Sequence, residues 1–569
     1  MMTSEIKICQ NCKKQFPIES EDFDFYKKID VPPPTFCPQC RFQRRLALFN
    51  IVKLYKRTCD LCHRDIISMY ASNSSYTIYC SKCWFSDEWD PRDYGRDYDF
   101  SRPFFEQYNE LLHQAPMQAL SLGPESLDTS PYNNHAVNLK NCYLLFESME
   151  NENCAYGFFV LYSTDLIDCS LSQAVNQSYD MMNAYKVSKS AGCRGQVEES
   201  INCYFLRDSK NCQNCFGSAN LRNQQYVFFN QQLTKDEYLN AIKKYDLGSY
   251  EGYLQAKQDA EKHWEKQIVK AHYEDATQNC TGNYVFGSKN CSQCYEVIGA
   301  EDCKFMFMNL SSPQTNSYDI SGSAGPLELL YEGNITGQGC SDSQFIKDTG
   351  IETINAEYTN GSWTAKNHFG CVGARRTQNC ILNKEYSEEE FKVLVEKIKQ
   401  HMNDMPYADT QGNVYKYGEY FPMEMSPLPY NDSLASVFFP MSKEEVLKKG
   451  LRWRDDADMT HEVTINATEL PDHINDADEK IVAETIGCLS CGQGFRIIKQ
   501  EFDLLKSQKF PLPRKCPFCR VREKMAEWAI NLTTTTTQCS RCKTKFETSV
   551  KNKEVSSLLC RECYIKEFV

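Results

Sequence analysis

The sequence predicts a mainly β protein, in which a central β-solenoid, built in two halves with intervening helices, is flanked by two cysteine-rich modules. Eight Cys-x-x-Cys pairs lie near the two ends of the 569-residue chain with matching spacings. Between them, a phrase of Asn, Asp or Gly, then Cys or Tyr, then alternating apolar residues recurs at intervals of about 9–15 residues. Short period-two strands divided by polar turns, repeated in this way, are typical of a solenoid whose rungs stack on one another.

Composition limits the class of protein. Aromatic residues make up 12% and apolar residues 41% of the chain, as in a globular rather than a disordered protein. No apolar run approaches the ~18–20 residues that a membrane-spanning helix needs. The N-terminus also lacks the apolar stretch of a signal peptide. We therefore expect a cytoplasmic protein without a membrane partner.

The paired cysteines predict metal sites. Ten Cys-x-x-Cys pairs account for twenty of the thirty cysteines, and in a reducing compartment this spacing favours metal over the alternative, disulfides or redox pairs. Four thiolates complete a tetrahedral zinc shell and leave no position for water, so such sites are structural. Zinc would also supply folding free energy that fingers this small cannot gain from an apolar core. The predicted ligands of four Zn²⁺ ions are Cys9, Cys12, Cys37, Cys40, Cys59, Cys62, Cys80, Cys83, Cys488, Cys491, Cys516, Cys519, Cys539, Cys542, Cys560 and Cys563.

The two terminal modules are copies of each other. The gap between the second and third cysteine is 25 residues in the first finger of both modules and 18 in the second finger of both. Other residues match at the same offset, for example Phe16 with Phe495 and Lys27 with Lys506.

The first finger of each module resembles a known family. The string Cys-x₂-Cys-x₃-Phe, then Phe-x₃-Lys, a proline stretch and Cys-Pro-x-Cys-Arg, over residues 9–45 and 488–524, is similar to the probable zinc-ribbon (treble-clef) domain of many bacterial proteins. The resemblance implies a double treble-clef or zinc-ribbon module at each end, with a helix that starts at the second Cys-x-x-Cys. The whole chain resembles uncharacterised cysteine-rich zinc-ribbon proteins of candidate-phyla bacteria, and neither family has a reaction to transfer.

Basic residues follow the second Cys-x-x-Cys of both modules. On the implied helix, Arg41, Arg44 and Arg45 share a face. An arginine face suits phosphate oxygens, but it also balances the negative charge of a zinc–thiolate centre, and both interpretations stay open. The candidate nucleic-acid contacts are Arg41, Arg44, Arg45, Arg520, Arg522 and Lys524.

Charge is distributed unevenly along the chain. Residues 1–83 carry 13 Lys and Arg against 8 Asp and Glu, and residues 486–569 carry 16 against 8. The net charge of −13 therefore leaves −26 for the middle. A four-thiolate zinc site has a charge of about −2, which reduces the basic ends to about +1 and +4. Only the ends are thus suited to RNA or DNA.

The cysteines of the middle region have two interpretations. Cys212, Cys215, Cys291 and Cys294 form two more Cys-x-x-Cys pairs and are candidates for an extra metal or redox site. The simpler interpretation is that these cysteines are small side chains that stack inside the solenoid. The preceding Asn would then turn the backbone and hydrogen-bond to the neighbouring rung.

Capping boxes mark the helices. Thr234-x-x-Glu237 and Ser387-x-x-Glu390 predict amphipathic helices near 234–246 and 387–401, one at the end of each solenoid half. A charged helix is expected near 252–273. The predicted segments are an N-terminal double zinc-ribbon module with a linker (1–100), the first solenoid half (101–232), a helical insert (233–275), the second solenoid half with its terminal helix (276–401), a Pro/Tyr-rich strap with an acidic linker (402–486) and the C-terminal double zinc-ribbon module (487–569).

These features favour a non-enzymatic zinc-binding scaffold that presents a solenoid surface to a protein partner or to a second copy. The alternative is an RNA-, DNA- or ribosome-binding protein that acts through the basic zinc modules. The sequence contains no P-loop, GxGxxG after a strand, GxSxG or HExxH motif. An enzyme with a site in the solenoid groove is therefore only a remote alternative.

Overall fold

The computed structural model describes residues 3–50, 52–309, 313–323, 325–455, 462–530, 534–550 and 558–568. Residues 456–461 of the predicted acidic linker lie outside the described residues. The predicted fold class is confirmed, because strands hold 32% and helices 26% of the residues and a solenoid of about 20 turns occupies the centre. Among the described residues, no helix is both long and apolar enough to span a membrane.

The N-terminal module contains two antiparallel hairpins, each followed by a helix whose first turn carries a Cys-x-x-Cys pair. The helix that was expected at the second pair is present and uses Cys37 as its N-cap. The elements are β1 (Glu5–Ile8), β2 (Gln15–Ile18), α1 (Ser20–Lys28), α2 (Pro38–Ala47), β3 (Tyr55–Thr58), β4 (Asp65–Ser68), β5 (Ile78–Tyr79), α3 (Ser81–Phe85), α4 (Phe104–Gln114) and β6 (Met117–Gln118).

The first solenoid half is a stack of parallel strands that ends in two helices. Its elements are β7 (Asn134–Lys140), β8 (Tyr143–Phe158), β9 (Val160–Leu161), β10 (Thr164–Ile167), β11 (Ser170–Gln173), β12 (Asn176–Tyr179), β13 (Met182–Tyr185), β14 (Arg194–Glu198), β15 (Arg207–Lys210), β16 (Val227–Phe228), β17 (Gln231–Gln232), α5 (Lys235–Ile242), α6 (Tyr250–Trp264) and β18 (Val269–Lys270). The Thr234 capping box is confirmed. Helix α6 ends earlier than expected because β18 pairs instead with a strand of the C-terminal module, at Leu558–Leu559.

The second half repeats this plan and continues into the Pro/Tyr-rich strap. Its elements are β19 (Glu274–Asp275), β20 (Gly282–Phe286), β21 (Cys294–Ile298), β22 (Ala300–Glu301), β23 (Phe307–Asn309), β24 (Gln314–Thr315), β25 (Tyr318–Ser323), β26 (Leu327–Thr336), β27 (Ser341–Thr349), β28 (Thr353–Glu357), β29 (Ala365–Phe369), β30 (Gln378–Ile381), β31 (Lys384–Glu385), α7 (Glu388–Asp404), β32 (Tyr407–Ala408), β33 (Val414–Tyr415), α8 (Ala435–Phe438) and α9 (Lys443–Lys448). The Ser387 capping box starts α7 as predicted. The strap lies on the solenoid, where the Gly418 amide donates to the Tyr358 hydroxyl at 3.0 Å.

The C-terminal module has the same hairpin and helix order as the N-terminal one. Its elements are β34 (Ile465–Asn466), β35 (Ile486–Gly487), β36 (Gly494–Phe495), α10 (Lys499–Gln508), α11 (Pro517–Ile530), β37 (Thr535–Gln538), β38 (Lys545–Thr548), β39 (Leu558–Leu559) and α12 (Arg561–Phe568).

Each solenoid rung is a short closed turn of the chain. Thr164 of β10 lies opposite Glu152 on one side and Asn176 on the other, so one turn here takes 12 residues. Left-handed residues recur at every third position through this region, for example Asp165, Asp168 and Leu171. A rung therefore has four tight corners, and Asn, Asp and Gly are suited to corners because they adopt this conformation at the lowest cost.

Side-chain ladders along the solenoid satisfy its polar groups. The side-chain amide of Asn153 accepts a hydrogen bond from that of Asn141 at 2.8 Å and donates one to the carboxylate of Asp165 at 3.1 Å. All three are corner residues. Inside, Ser163 donates to its own strand at the Leu161 carbonyl and accepts from the Val175 amide of the next rung. For Asn141 and Asn153 the structure agrees with the prediction that the Asn of the phrase turns the backbone and bonds the neighbouring rung, whereas Asp168 binds Arg520 instead.

The chain forms two compact units, and each unit combines distant parts of the sequence. One unit contains Met1–Ser121 and Glu274–Arg454, and the other contains Leu122–Tyr273 and Asp455–Val569. The N-terminal module therefore packs on the second solenoid half, and the C-terminal module packs on the first. The chain order of the predicted segments does not reveal this pairing.

The corner ladder yields a first test at Asn367, which has a φ of 57° and bonds Asn355 and Asn379 at 2.7 Å each. We predict that Asn367→Ala lowers the free energy of unfolding by about 1–2 kcal/mol, because it loses the ladder and strains a left-handed corner. Asn367→Gly should cost less because it removes the strain. Lys366 is exposed, so Lys366→Ala is the control. Its free energy of unfolding should lie within about 0.5 kcal/mol of the parent's. A urea titration measures the free energy of unfolding of all three variants. A Gly variant less stable than the Ala variant would contradict this explanation.

Candidate metal centres

The sixteen predicted ligands come together as four separate groups of four cysteines. Within each group, the four Sγ atoms lie within 4.8 Å of one another. All thirty cysteines of the chain are free thiols, so no group is joined by disulfides. Each group can therefore hold one metal ion.

In every finger, a hairpin turn supplies two sulfurs and a helix N-terminus supplies the other two. The turn closes when the Cys9 amide donates to the Lys14 carbonyl at 2.9 Å, with Lys13 in the left-handed conformation. The Cys37 amide, at the start of α2, then donates to the Cys9 Sγ atom at 3.3 Å. This bond fixes the helix start against the turn and directs a backbone dipole at a sulfur.

The sulfur spacing is alike in the four groups. In each group we compare the distance between the Sγ atoms of the second and the third cysteine. These Sγ–Sγ distances are 3.7 Å for Cys12–Cys37, 3.9 Å for Cys62–Cys80, 3.9 Å for Cys491–Cys516 and 3.5 Å for Cys542–Cys560. All are far longer than the ~2.05 Å of a disulfide.

Backbone amides favour the thiolate form in these groups. Burial raises the pKa of Cys488, but the Cys516 amide, at 3.2 Å from its Sγ atom, helps to bring that pKa down to about 7. Burial likewise opposes ionisation of Cys539, and the Cys560 amide at 3.4 Å helps to lower its pKa to about 6. Because thiolates rather than thiols bind metal, these contacts prepare the groups for a cation.

In the unit that contains the N-terminal module, the arginine face of α2 packs onto a corner of the second solenoid half. Three guanidinium groups meet three carboxylates there, and all six residues are buried. The pairs are Arg41–Asp319 at 2.8 Å, Arg44–Glu332 at 2.8 Å, Arg44–Glu419 at 3.1 Å, Arg45–Asp319 at 2.9 Å and Arg45–Glu332 at 3.0 Å. The cluster is balanced in charge, so each buried ion has a partner of opposite sign.

The other unit repeats this contact with α11 and the first solenoid half. Arg520 binds Asp168 and also Glu501, the latter at 2.9 Å. One turn later, Lys524 binds Asp180. Burial opposes ionisation of Asp180, but Lys524 and other cations around it, Arg194 first among them, hold its pKa well below the usual range.

This packing corrects the interpretation of the basic residues. The side chains of Arg41, Arg44 and Arg45 are at most 2% exposed, and those of Arg520 and Lys524 are 10% and 8% exposed. In this arrangement they cannot reach a nucleic-acid phosphate, and of the six candidate contacts only Arg522 is exposed. Their ion-pair partners are carboxylates of the solenoid, of the strap (Glu419) and of α10 (Glu501) rather than the thiolates of the cysteine groups.

The middle cysteines lie inside the solenoid. Cys212, Cys215, Cys291 and Cys294 are buried, and among the described residues none of them belongs to a group of three or more convergent metal-binding side chains. Their thiols donate to backbone carbonyls instead. For example, the Cys291 Sγ atom lies 3.3 Å from the Lys289 oxygen and 3.4 Å from the Ala300 oxygen. This agrees with the stacking interpretation.

The carboxylates that bind the arginines were not predicted from the sequence. Asp319 and Glu332 occupy equivalent corners of successive rungs, as do Asp168 and Asp180. A signal was present, because acidic residues at a one-rung spacing in both halves interrupt the Asn pattern. Their partners, however, lie hundreds of positions away in the chain.

The buried cluster yields a second test. Arg45→Met leaves Asp319 and Glu332 short of one positive charge in a buried site, so we predict a loss of about 3–5 kcal/mol in the free energy of unfolding. Arg522→Met removes a positive charge from the exposed face of α11 and should change the value by less than about 0.5 kcal/mol. Urea unfolding of the full chain compares them. Equal stability of the two variants would show that the cluster does not anchor α2.

No protein-family model and no curated protein matches this chain. The resemblance to zinc-ribbon proteins therefore stays a prediction that rests on the cysteine spacings and their neighbouring residues.

Proposed function

We propose that the protein is a non-enzymatic scaffold whose two terminal modules hold four structural Zn²⁺ ions. The sulfur spacing carries this proposal. A regular tetrahedron with Zn–S bonds of about 2.3 Å has S–S edges of about 3.8 Å. The four measured edges run from 3.5 to 3.9 Å.

The role of the ions follows from the ligand set. Four cysteine thiolates fill the tetrahedral shell, so a bound ion has no open position at which to activate water or a substrate. Each finger has a short hairpin and a short helix, which bury too little apolar surface to fold alone. Zinc therefore supports the fold by holding the hairpin against the helix, as the Cys9 and Cys37 contact already does.

The buried contacts between the terminal modules and the solenoid support the scaffold role. The buried ion clusters fix α2 and α11 on the solenoid, so the zinc fingers serve the architecture rather than offering their basic helices to a ligand. The solenoid then forms a long, acidic and regular surface for a protein partner or for a second copy of the chain. The nucleic-acid alternative loses its main support, because four of its six candidate contacts are buried and the side chain of Arg520 is only 10% exposed.

Metal analysis of the native protein tests the proposal. We predict four zinc ions per chain by mass spectrometry of metals, and three for Cys542→Ser, which removes one ligand of the second C-terminal finger. Cys169→Ser is the matched control, because Cys169 is buried in the solenoid and belongs to no cysteine group. It should keep all four ions.

Three outcomes would contradict the proposal. The first is a zinc content well below four in protein that remains folded. The second is iron in place of zinc. The third is nucleic acid that stays bound at moderate salt and is lost in Arg522→Ala, which would favour the alternative function instead.

A further inference from the structure

A polar cleft of about 950 Å³ lies between the first solenoid half and helix α10, within one compact unit. One wall is a column of corner residues from successive rungs, and the other is a face of α10. The residues that line it are Asn141, Asn153, Asp165, Gln177, Lys189, Asn202, Tyr204, Lys499, Gln500, Asp503, Leu504, Ser507, Gln508 and Phe510.

The solenoid wall is periodic. Six polar side chains, from Asn141 to Asn202, stand on left-handed corners of consecutive rungs. Neighbouring rungs are separated by about 4.8 Å, so the column extends for about 24 Å. Asn141, Asn153 and Asp165 also bond one another along the column, so an extended ligand would share the groups of that ladder.

The helix wall contains hydrogen-bonding groups without partners. The Nε2 atoms of Gln500 and Gln508 are shielded from solvent, and neither has a hydrogen-bond partner among the described residues. A buried amide without a partner costs roughly 1–3 kcal/mol. Both side chains line the cleft, so a change of rotamer would bring their amides to acceptors on a bound molecule.

The equivalent place in the other unit is closed. Arg41 and Arg520 match in the two modules and bind Asp319 and Asp168, so these two corners are equivalent. Next to Asp319, Phe25 of α1 stacks on Tyr318 with ring centroids 3.8 Å apart. Lys28 also reaches across to Asn316 at 3.4 Å.

The C-terminal copy has smaller residues at the same positions. Leu504 replaces Phe25, and Ser507 replaces Lys28, at the offset that relates the two modules. The residue equivalent to Tyr318 is Ile167. The opening therefore results from specific differences between the copies and is not a general feature of the module contact.

We propose that this cleft binds a neutral oligosaccharide in an extended conformation. Two acidic residues, Asp165 and Asp503, offset two basic ones, Lys189 and Lys499, so the lining has no net charge. The other polar groups are amides and two hydroxyls, which donate and accept, as sugar hydroxyls do. Tyr204, at the last rung, is an aromatic residue of the lining and the candidate for stacking against a sugar ring.

The same features disfavour other extended ligands. A nucleic acid needs positive charge to replace its counterions, and the balanced lining supplies none. An extended peptide binds by adding to an open strand edge and by filling apolar side-chain pockets. The column consists of corners rather than a strand edge, and its six residues, from Asn141 to Asn202, are all polar or charged.

The full-length zinc-loaded protein can be tested by saturation-transfer NMR and calorimetry with three probes: cellohexaose, maltohexaose and hexa-N-acetylchitohexaose. We expect at least one of them to bind. In Ser507→Lys, the new ammonium should reach Asp165 as Lys28 reaches Asn316, so the cleft closes and binding falls by about tenfold or more. The double variant Gln500→Ala/Gln508→Ala should also weaken binding, since it removes the two unpaired donors.

Gln224→Ala is the matched control, because Gln224 is exposed on the same solenoid half but does not line the cleft, and it should bind as the parent does. Ser507 is exposed, so its substitution should leave zinc content and circular dichroism unchanged. The proposal would be overturned if none of the three sugars binds at millimolar concentration, or if Ser507→Lys binds them as well as the parent. Binding of an RNA oligonucleotide that Ser507→Lys strengthens would also overturn it.

Discussion

The buried contact between the helix that begins at a cysteine group and a solenoid corner is the interaction on which the architecture depends. In one unit, three arginines of α2 face three carboxylates, and none of the six side chains is more than 5% exposed. Ions buried in this way are stable only as a complete set, because the loss of one partner leaves an uncompensated charge. The contact therefore specifies one position of the module on the solenoid.

The metal centres and these ion clusters are coupled through a few residues of the helices. Cys37 is a predicted zinc ligand and the N-cap of α2, and the amide of Arg41 donates to its carbonyl at 3.0 Å. The position of the first helical turn, which a bound metal ion would fix, thus decides where the guanidinium groups point. The same relation holds between Cys516 and Arg520 in the other module. Zinc would thus act indirectly. It would position the helix, and the helix positions side chains that do not contact the metal.

Much of the local structure could be predicted from the sequence, and the long-range pairing could not. Cys-x-x-Cys spacing and the recurrent Asn–Cys phrase are local patterns, formed by residues that lie near one another in the sequence. The four cysteine groups and the solenoid were therefore predictable. Whether Arg44 faces solvent depends on Glu332 and Glu419, which lie 288 and 375 positions away. Nothing in the chain order indicates that each module packs on the distant solenoid half. The cleft was equally hidden, since it depends on small residues at Leu504 and Ser507 on one element and on a polar column on another.

The proposed scaffold requires that metal-bound fingers anchor their helices on the solenoid. A crystal structure of the native protein, with anomalous data collected above and below the zinc absorption edge, tests this most directly. The account predicts four zinc peaks, each surrounded by one cysteine group, and Arg44 within hydrogen-bonding distance of Glu332. A cysteine group without a peak, or α2 with its arginines turned to solvent, would contradict it.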